Sequence, residues 1–589
     1  MNKNLSLRTL RVAVNVRPSR VFIARRFSKI SVRGSDEEKT KSASRTEPEQ
    51  VVVDANDKDQ QDHFFRYTWG TWTKNDKAEK DKRYTPFNIN ALASVIQEAR
   101  NLPSTVAPAN VKSLTSLAEG KHHRIYLVDL DDNTQYILRI PYPLDLSWEA
   151  RRARMQSEVA TMDFMRKKWG MLIPEVVGYS AWGDNPLGRE YMLMEYIPPS
   201  GQHGQIRNLM SLWNPMSGTV NERADVLKVV VGALEKILAT RFNAFGSLYF
   251  TQDVDTKYQD MLPYDGETDT SLVDRWRIGP TVESSFWQRG IDHDGSTDRG
   301  PWTSTHDYLA ATARANMTAL TVMMNDPDVV TTELGMYIPT WIDSYEKYSH
   351  IVGKLIPEGI PDESDLISPR LYHPDLDPTN ILVNIDSAST DDATVPYKET
   401  YLLDWEGASI KPFYLHGAPK FVAYNGYKVF KKEEIHDYDS LPPQVQSQVD
   451  YMIAATSNQY TFEFLFRHSF PTLINAYSPF LKAQREPYRM AMAADYKFHP
   501  LEIVDFRDSL LRFQQDLPEE IIKEIHQRGK FTEEELKQHV AILGEWEKMI
   551  STIPFYSTKG WVPQNFFDEA VAAGDLVKDE HGNWIRKSE

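Results

Sequence analysis

Cysteine is absent from the 589 residues. That excludes disulfides and thiolate metal sites, and leaves the redox compartment open. Long apolar runs are absent too: none approaches the ~20 residues needed to span a bilayer. Basic charge is in deficit, with 67 Lys and Arg against 83 Asp and Glu, a net charge of −16. Phosphate backbones are bound by basic faces, so nucleic acid is not the expected main partner. No internal repeat is visible. With 41% hydrophobic and 25% charged residues, the remainder is ordinary globular material. A chain of this length can bury one large core or several domains.

Acid is missing from residues 1–35, which carry nine Lys or Arg (Lys3, Arg8, Arg11, Arg17, Arg20, Arg25, Arg26, Lys29 and Arg33). Leu7, Leu10 and Val14 share one helical face beside Arg8 and Arg11, and Pro18 follows. An Arg-rich, acid-free amphipathic start is the pattern of a mitochondrial transit peptide, with Arg25-Arg26-Phe27-Ser28 as a candidate cleavage region. A disordered basic arm is the competing reading. Residues 36–62 are acidic and polar and read as a linker that cannot bury enough apolar surface to order itself.

What organises the chain lies much later, in Leu371-Tyr-His-Pro-Asp-Leu-Asp-Pro-Thr-Asn380 and Tyr401-Leu-Leu-Asp404-Trp-Glu406. His373-x-Asp375-x4-Asn380 has the spacing of a phosphotransferase catalytic loop. Asp375 is the candidate carboxylate to meet an acceptor hydroxyl. Asn380 and Asp404 offer hard oxygens for Mg²⁺. Residues 381–384 and 400–403 read as strands, and a hairpin of the two would return Asp404 to the side of Asn380. The competing reading is a polar turn between buried strands.

These residues resemble the aminoglycoside phosphotransferase and choline kinase branch of the protein-kinase-like fold, which commonly carries His-Gly-Asp-x4-Asn and then Ile-Asp-Trp/Phe-Glu. Pro374 stands where that branch usually has glycine and contributes only backbone. With its leader, the whole chain is similar to the fungal mitochondrial family called altered inheritance of mitochondria protein nine. The resemblance implies an α+β bilobal fold, with a small antiparallel-sheet N-lobe over 111–198 and a mostly helical C-lobe over 199–480. It also implies Mg²⁺-ATP as the cofactor and a small-molecule alcohol as acceptor.

Other site residues follow from the resemblance. The turn Glu119-Gly120-Lys121-His122-His123-Arg124 would cover the phosphates, with Gly120 and Lys121 nearest and the basic residues supplying positive potential. It has a single glycine, a weak signal by itself, and a solvated hairpin tip is the alternative. Arg139 would grip the α/β-phosphates, oriented by Glu158 on the helix Trp148–Trp169, with Glu149 as the competing acid and a plain surface salt bridge as the bland alternative. Backbone near Glu195 to Ile197 would bind adenine. His373 would brace the loop.

Elsewhere, the aromatics Phe64, Phe65, Tyr67, Trp69 and Trp72 read as an N-terminal arm (63–110) packed on the main domain. A helix is expected over 87–100 and another over 224–243. Trp276, Trp287 and Trp302 read as buried packing before acceptor-pocket wall, and the Gly and Pro of Ile278-Gly-Pro280 as a turn. Residues 481–589 are expected to form a helical extension. Within it Pro518 starts a helix that Gly529 ends, Thr532-x-x-Glu535 is a capping box, and Leu536, Val540 and Leu543 share a face that packs on the lobe or on a protein partner.

The reading is a mitochondrial, matrix-located ATP-dependent kinase of a small molecule; an acidic C-lobe would suit a cationic acceptor, though overall charge does not define a pocket. Protein kinases end their activation segment in Ala-Pro-Glu, which is not found here. Two other classes stay open: a nucleotide-binding pseudokinase, and a mitochondrial assembly factor that uses the fold without catalysis.

Overall fold

The computed structural model describes residues 62 and 64–587, except 102–108, 145, 202–203, 217–218, 289, 292–293, 386–396, 494–499, 553–559 and 581. The basic leader, the acidic stretch 36–61 and residues 386–396, between the two strands expected at 381–384 and 400–403, lie outside the described residues. The described chain clusters into two units. One holds residues from 62–144, 174–197 and 546–587; the other holds those from 145–173 and 198–545.

The first unit is built on a sheet. Its elements are β1 (Gly70–Trp72), α1 (Leu92–Ala99), β2 (Val111–Glu119), β3 (His123–Leu130), β4 (Gln135–Pro141), β5 (Val176–Ser180) and β6 (Tyr191–Glu195). Five strands pair in the order β2-β3-β4-β6-β5, all antiparallel. Strict alternation drives β3: Arg124, Tyr126, Val128 and Leu130 are buried and their neighbours are not. Tyr126, Val128 and Leu138 form a core with Leu92, Val95 and Ile96 of α1. Phe64 and Phe65 of the arm join that core, the packing role read from their density. The expected helix over 87–100 is shorter, a 3₁₀ turn at Ile89–Ala91 and then α1.

The end of the chain belongs to this unit and is not wholly helical. Trp561–Pro563 pairs antiparallel with β1, and Leu576–Lys578 pairs with Trp584–Arg586. Trp561–Pro563 and β1 are far apart in sequence and share no local signal; the second pair is a local hairpin that the helical expectation misses.

The second unit begins with α2 (Trp148–Trp169), which the expected N-lobe over 111–198 includes with the sheet. Ser147 caps its start by accepting from the Ala150 N–H at 3.2 Å, and Gly170 ends it in the left-handed region at φ 56. After β7 (Ser200–Gly201) and β8 (Gly204–Asn208) comes α3 (Val220–Ile237), opened by a capping box of Thr219 and Glu222. That cap sets the helix earlier than the expected 224–243. The strands β9 (Ser247–Phe250) and β10 (Trp276–Gly279) pair antiparallel, so Gly279 ends a strand and is not the turn expected. A Cβ on Gly279 would lie 2.8 Å from Tyr249, so close approach selects the glycine. Helix α2 is fastened to this pair by Asp163, which accepts from Arg275 Nη2 at 2.9 Å and from Trp276 Nε1 at 3.1 Å. Trp276, Trp287 and Trp302 are buried, as packing predicts.

The remainder is α4 (Thr305–Met324), α5 (Glu333–Ile351), β11 (Pro369–Tyr372), β12 (Ile381–Ile385), β13 (Tyr397–Leu402), β14 (Ser409–Pro412), α6 (Pro443–Ser469), α7 (Pro479–Ala491), α8 (Pro500–Gln515) and α9 (Glu533–Thr552). The helix expected from Pro518 to Gly529 ends at Glu524. The Thr532–Glu535 capping box is present, with the Thr532 N–H donating to Glu535 at 2.7 Å. The face drawn through Leu536 and Val540 is corrected, because Val540 is 67% exposed and His539 points inward. The fold is α+β, with an antiparallel-sheet unit and a largely helical one.

Candidate active site

The site is assembled by two strand pairs of the helical unit. β11 and β14 run antiparallel with Leu371 opposite Ile410. The expected hairpin forms, with Ile381 of β12 opposite Leu402 of β13. Between β11 and β12 the chain makes the loop 373–380. Asp377 closes it by accepting from the Thr379 N–H at 3.0 Å and hydroxyl at 2.8 Å, ahead of a 3₁₀ turn over Pro378–Asn380.

His373 is the loop's buried post. Its Nε2–H donates to the Leu403 carbonyl at 3.0 Å, and its Nδ1 accepts the Asp375 N–H at 3.2 Å. A carbonyl can only accept, so these partners fix the tautomer. Burial holds its pKa down at about 4, so the ring is neutral, and its edge packs on Trp405 with centroids 4.8 Å apart. Asn380 Nδ2 donates to the Asp375 main-chain oxygen at 2.9 Å and to its carboxylate at 3.1 Å. The Leu403 N–H donates to the Asn380 carbonyl at 2.8 Å. Asp404, the next residue, is thereby set beside Asn380.

Asp404 sits in the left-handed region at φ 59, and Gly407 follows at φ 77. Aspartate tolerates that region better than most residues. The turn sends Trp405 fully into the core while Asp404 stays exposed. A carboxylate beside an amide whose Nδ2 is already engaged with Asp375 leaves hard oxygens for a small dication, and Mg²⁺ commonly takes one or two such protein ligands with the rest from phosphate and water. The donor set therefore fits Mg²⁺. No group of three His, Asp or Glu that could hold a metal alone occurs among the described residues.

The structure adds contacts that the motif does not contain. Arg154 of α2 lies 3.7 Å from Glu406, two residues past Asp404, in largely buried surroundings. Glu158, one turn further along α2, is buried; Glu149 lies in the helix's first turn. Lys420 Nζ lies 3.9 Å from Asp375 Oδ1. Arg154 is one of several arginines on its helix, and Lys420 comes from a loop beyond β14, so periodicity could single out neither.

The other expected residues belong to the sheet unit. Gly120 and Lys121 form the exposed turn between β2 and β3, closed by the Gly120 N–H donating to the His123 carbonyl at 2.8 Å. Arg124 does not lend its charge to that turn. It is buried, with Nη2 2.8 Å from Glu119 and Nη1 donating to the Arg66 carbonyl at 2.6 Å. The same Glu119 accepts from the Thr68 and Trp69 N–H groups at 2.6 and 3.0 Å, so the pair anchors the arm. Arg139 lies on β4 opposite Ile125 and Met192. Glu195 ends β6, where its carboxylate accepts from the Glu175 N–H at 3.1 Å, and Ile197 lies just past the strand.

No family model matches the chain. It is 40% identical over 552 residues to a Yarrowia lipolytica protein named altered inheritance of mitochondria protein 9, mitochondrial, covering 91% of each chain. Proteins of the same name match from Kluyveromyces lactis, at 34% over 91% of this chain and 93% of that one, and from Saccharomyces cerevisiae, at 34% over 93% and 94%. The chain belongs to the altered inheritance of mitochondria protein 9 family. This family member is also similar to solved structures of an ethanolamine kinase from Plasmodium vivax (11% identity, TM-score 0.31, 67% of this chain and 80% of that) and a choline kinase from Cryptosporidium parvum (11%, 0.25, 73% and 97%). An aminoglycoside phosphotransferase from Alicyclobacillus acidocaldarius is similar at 11% identity and a TM-score of 0.26, over 76% of this chain and 96% of that one. Likeness of that degree assigns no activity to a member of this family. No helix among its described residues is long and apolar enough to cross a membrane.

Proposed function

We propose that this protein is a mitochondrial, matrix-located phosphotransferase that moves the γ-phosphoryl group of Mg²⁺-ATP to the hydroxyl of a small molecule. The observation that carries the reading is the hydrogen-bonded set joining His373, Leu403, Asn380 and Asp375. A loop needed only as a turn has no use for a buried neutral histidine that ties the backbone before Asp404 to the backbone of Asp375.

Asp375 accepts the proton of the acceptor hydroxyl. Its carboxylate is more than half exposed and is oriented by Asn380, so it can meet an entering hydroxyl. Asn380 Oδ1 and the Asp404 carboxylate hold the metal. Bound Mg²⁺-ATP would supply the phosphoryl group and neutralise the charge that spreads over it. His373 does not touch substrate; it fixes the spacing of Asp375 and Asp404. In the sheet unit, Arg139 grips phosphate, Gly120 and Lys121 cover the phosphates, and the backbone from Glu195 to Ile197 receives the adenine. The location rests on the basic, acid-free leader and on relatives named as mitochondrial.

A thermal melt of the protein without residues 1–35, with and without Mg²⁺-ATP, tests the reading. The wild type should be stabilised only when both metal and nucleotide are present, and Asp404→Asn should lose that shift. Asparagine also tolerates the left-handed backbone, so the variant isolates the ligand. No shift in the wild type at millimolar Mg²⁺-ATP would overturn the kinase reading in favour of a non-catalytic assembly role.

A further inference from the structure

Beyond β14 the chain forms a wall of the space in front of Asp375. A small pocket of about 50 Å³ is lined there by Pro374, Asp375, His416, Gly417, Lys420 and Tyr477, among others. The loop continues through a turn in which the Val422 and Ala423 N–H groups donate to the Pro419 carbonyl at 3.1 and 2.9 Å. That turn delivers Tyr424, whose carbonyl accepts from two lysines: Lys428 Nζ at 2.8 Å and Lys482 Nζ at 3.5 Å.

Two ammonium groups on one carbonyl repel each other. Neither has a carboxylate within 4.0 Å among the described residues. Lys428 also donates to Gln459 Oε1 at 2.6 Å, and the facing acid, Glu463, is held on the far side of that amide, accepting from Gln459 Nε2 at 2.6 Å. Burial and Lys482 push the Lys428 pKa down to about 8, and burial and Arg485 lower that of Lys482. The third cation, Arg485, is buried against Gly417 of the pocket wall, where a Cβ would lie 3.7 Å from its Nη2. It donates to the Tyr414 carbonyl at 3.2 Å and to the Ala476 carbonyl, again not to a carboxylate. Glu463 and Glu486 are the acids near this cluster, but Glu463 accepts from Gln459 and Glu486 is paired with Arg489 at 2.6 Å, so three cations that donate to neutral oxygens leave a local excess of positive charge.

We infer that the acceptor is an anionic alcohol, bearing a phosphate or carboxylate held by Lys428 and Lys482 while its hydroxyl meets Asp375. This rests on the phosphotransferase reading and reverses the expectation, drawn from an acidic C-lobe, of a cationic acceptor. Lys420, 3.9 Å from Asp375, favours the same sign of charge. An anion bridging the two ammonium groups relieves their repulsion, and partial burial strengthens the attraction relative to open solvent.

The test uses inorganic phosphate, acetate and choline as separate probes in thermal melts without nucleotide. The background is Arg139→Gln, which removes the phosphate-gripping cation of the nucleotide site. Phosphate or acetate at tens of millimolar should raise the midpoint by about 2 °C. The Lys428→Gln/Lys482→Gln double variant should lose that rise, and Lys482→Arg should keep it. The same double variant with Arg139 intact should retain its Mg²⁺-ATP shift, which shows it folded and separates this test from that of the kinase reading. Absence of any anion-dependent shift, a shift unchanged in the double variant, or a shift with choline alone would each overturn the inference.

Discussion

The ring of His373, just past β11, and the carbonyl of Leu403, just past β13, are joined at 3.0 Å. The histidine's other nitrogen accepts the Asp375 N–H, so one neutral ring sets the distance between the carboxylate that would meet the acceptor and the strand end that would hold the metal. His373→Phe keeps the volume and breaks both bonds, leaving the Leu403 carbonyl and the Asp375 N–H without that partner. It should destabilise the protein by about 1–3 kcal/mol. Urea unfolding measures this, and phosphoryl transfer should fall further than the loss of folded protein explains.

The same histidine gives an acid-sensitive component of stability. Burial lowers its folded pKa from an ordinary 6.5 to about 4. The unfolded chain therefore binds the proton more readily than the folded one between those values. The contribution is complete above the unfolded pKa, declines as pH falls toward the folded one and levels off below it. It totals about 3 kcal/mol. Urea midpoints at neutral and mildly acidic pH should converge more in His373→Phe than in the wild type.

Asp375→Asn retains shape and the bond from Asn380 but removes the proton acceptor. Phosphoryl transfer should fall by about 10²–10⁴-fold, read as ADP release in the presence of an acceptor, while the Mg²⁺-ATP thermal shift persists. Equal turnover in the two proteins would remove Asp375 from the chemistry.

Glu119 and Arg124 are both nearly inaccessible and 2.8 Å apart. Glu119→Ala strands the guanidinium and releases the Thr68 and Trp69 N–H groups together. A loss of about 3–5 kcal/mol is expected, as for other broken buried pairs. The arm should become the first site of limited proteolysis. Glu119→Leu/Arg124→Met should recover part of the loss, because no buried charge is left.

The catalytic-loop residues His373, Asp375 and Asn380 were legible because they fall in one short run, where spacing alone fixes which groups can converge. The strands at 381–384 and 400–403 were legible as short apolar runs. Two readings failed for a shared reason. Arg124 looked like phosphate-facing charge until Glu119, at the end of the paired strand, was seen to bury it; Val540 looked like a contact until helix rotation turned His539 inward instead. Sequence by itself determined the kind of fold and the chemistry available at 373–404, since both rest on local order along the chain. Only the tertiary structure decided which cations are already spent and which remain. It buries Arg124 against Glu119, sets Lys420 at Asp375, and brings Lys428 and Lys482 to one carbonyl. Charge is printed in the sequence, but its counter-charge is chosen by packing between segments that no local pattern connects.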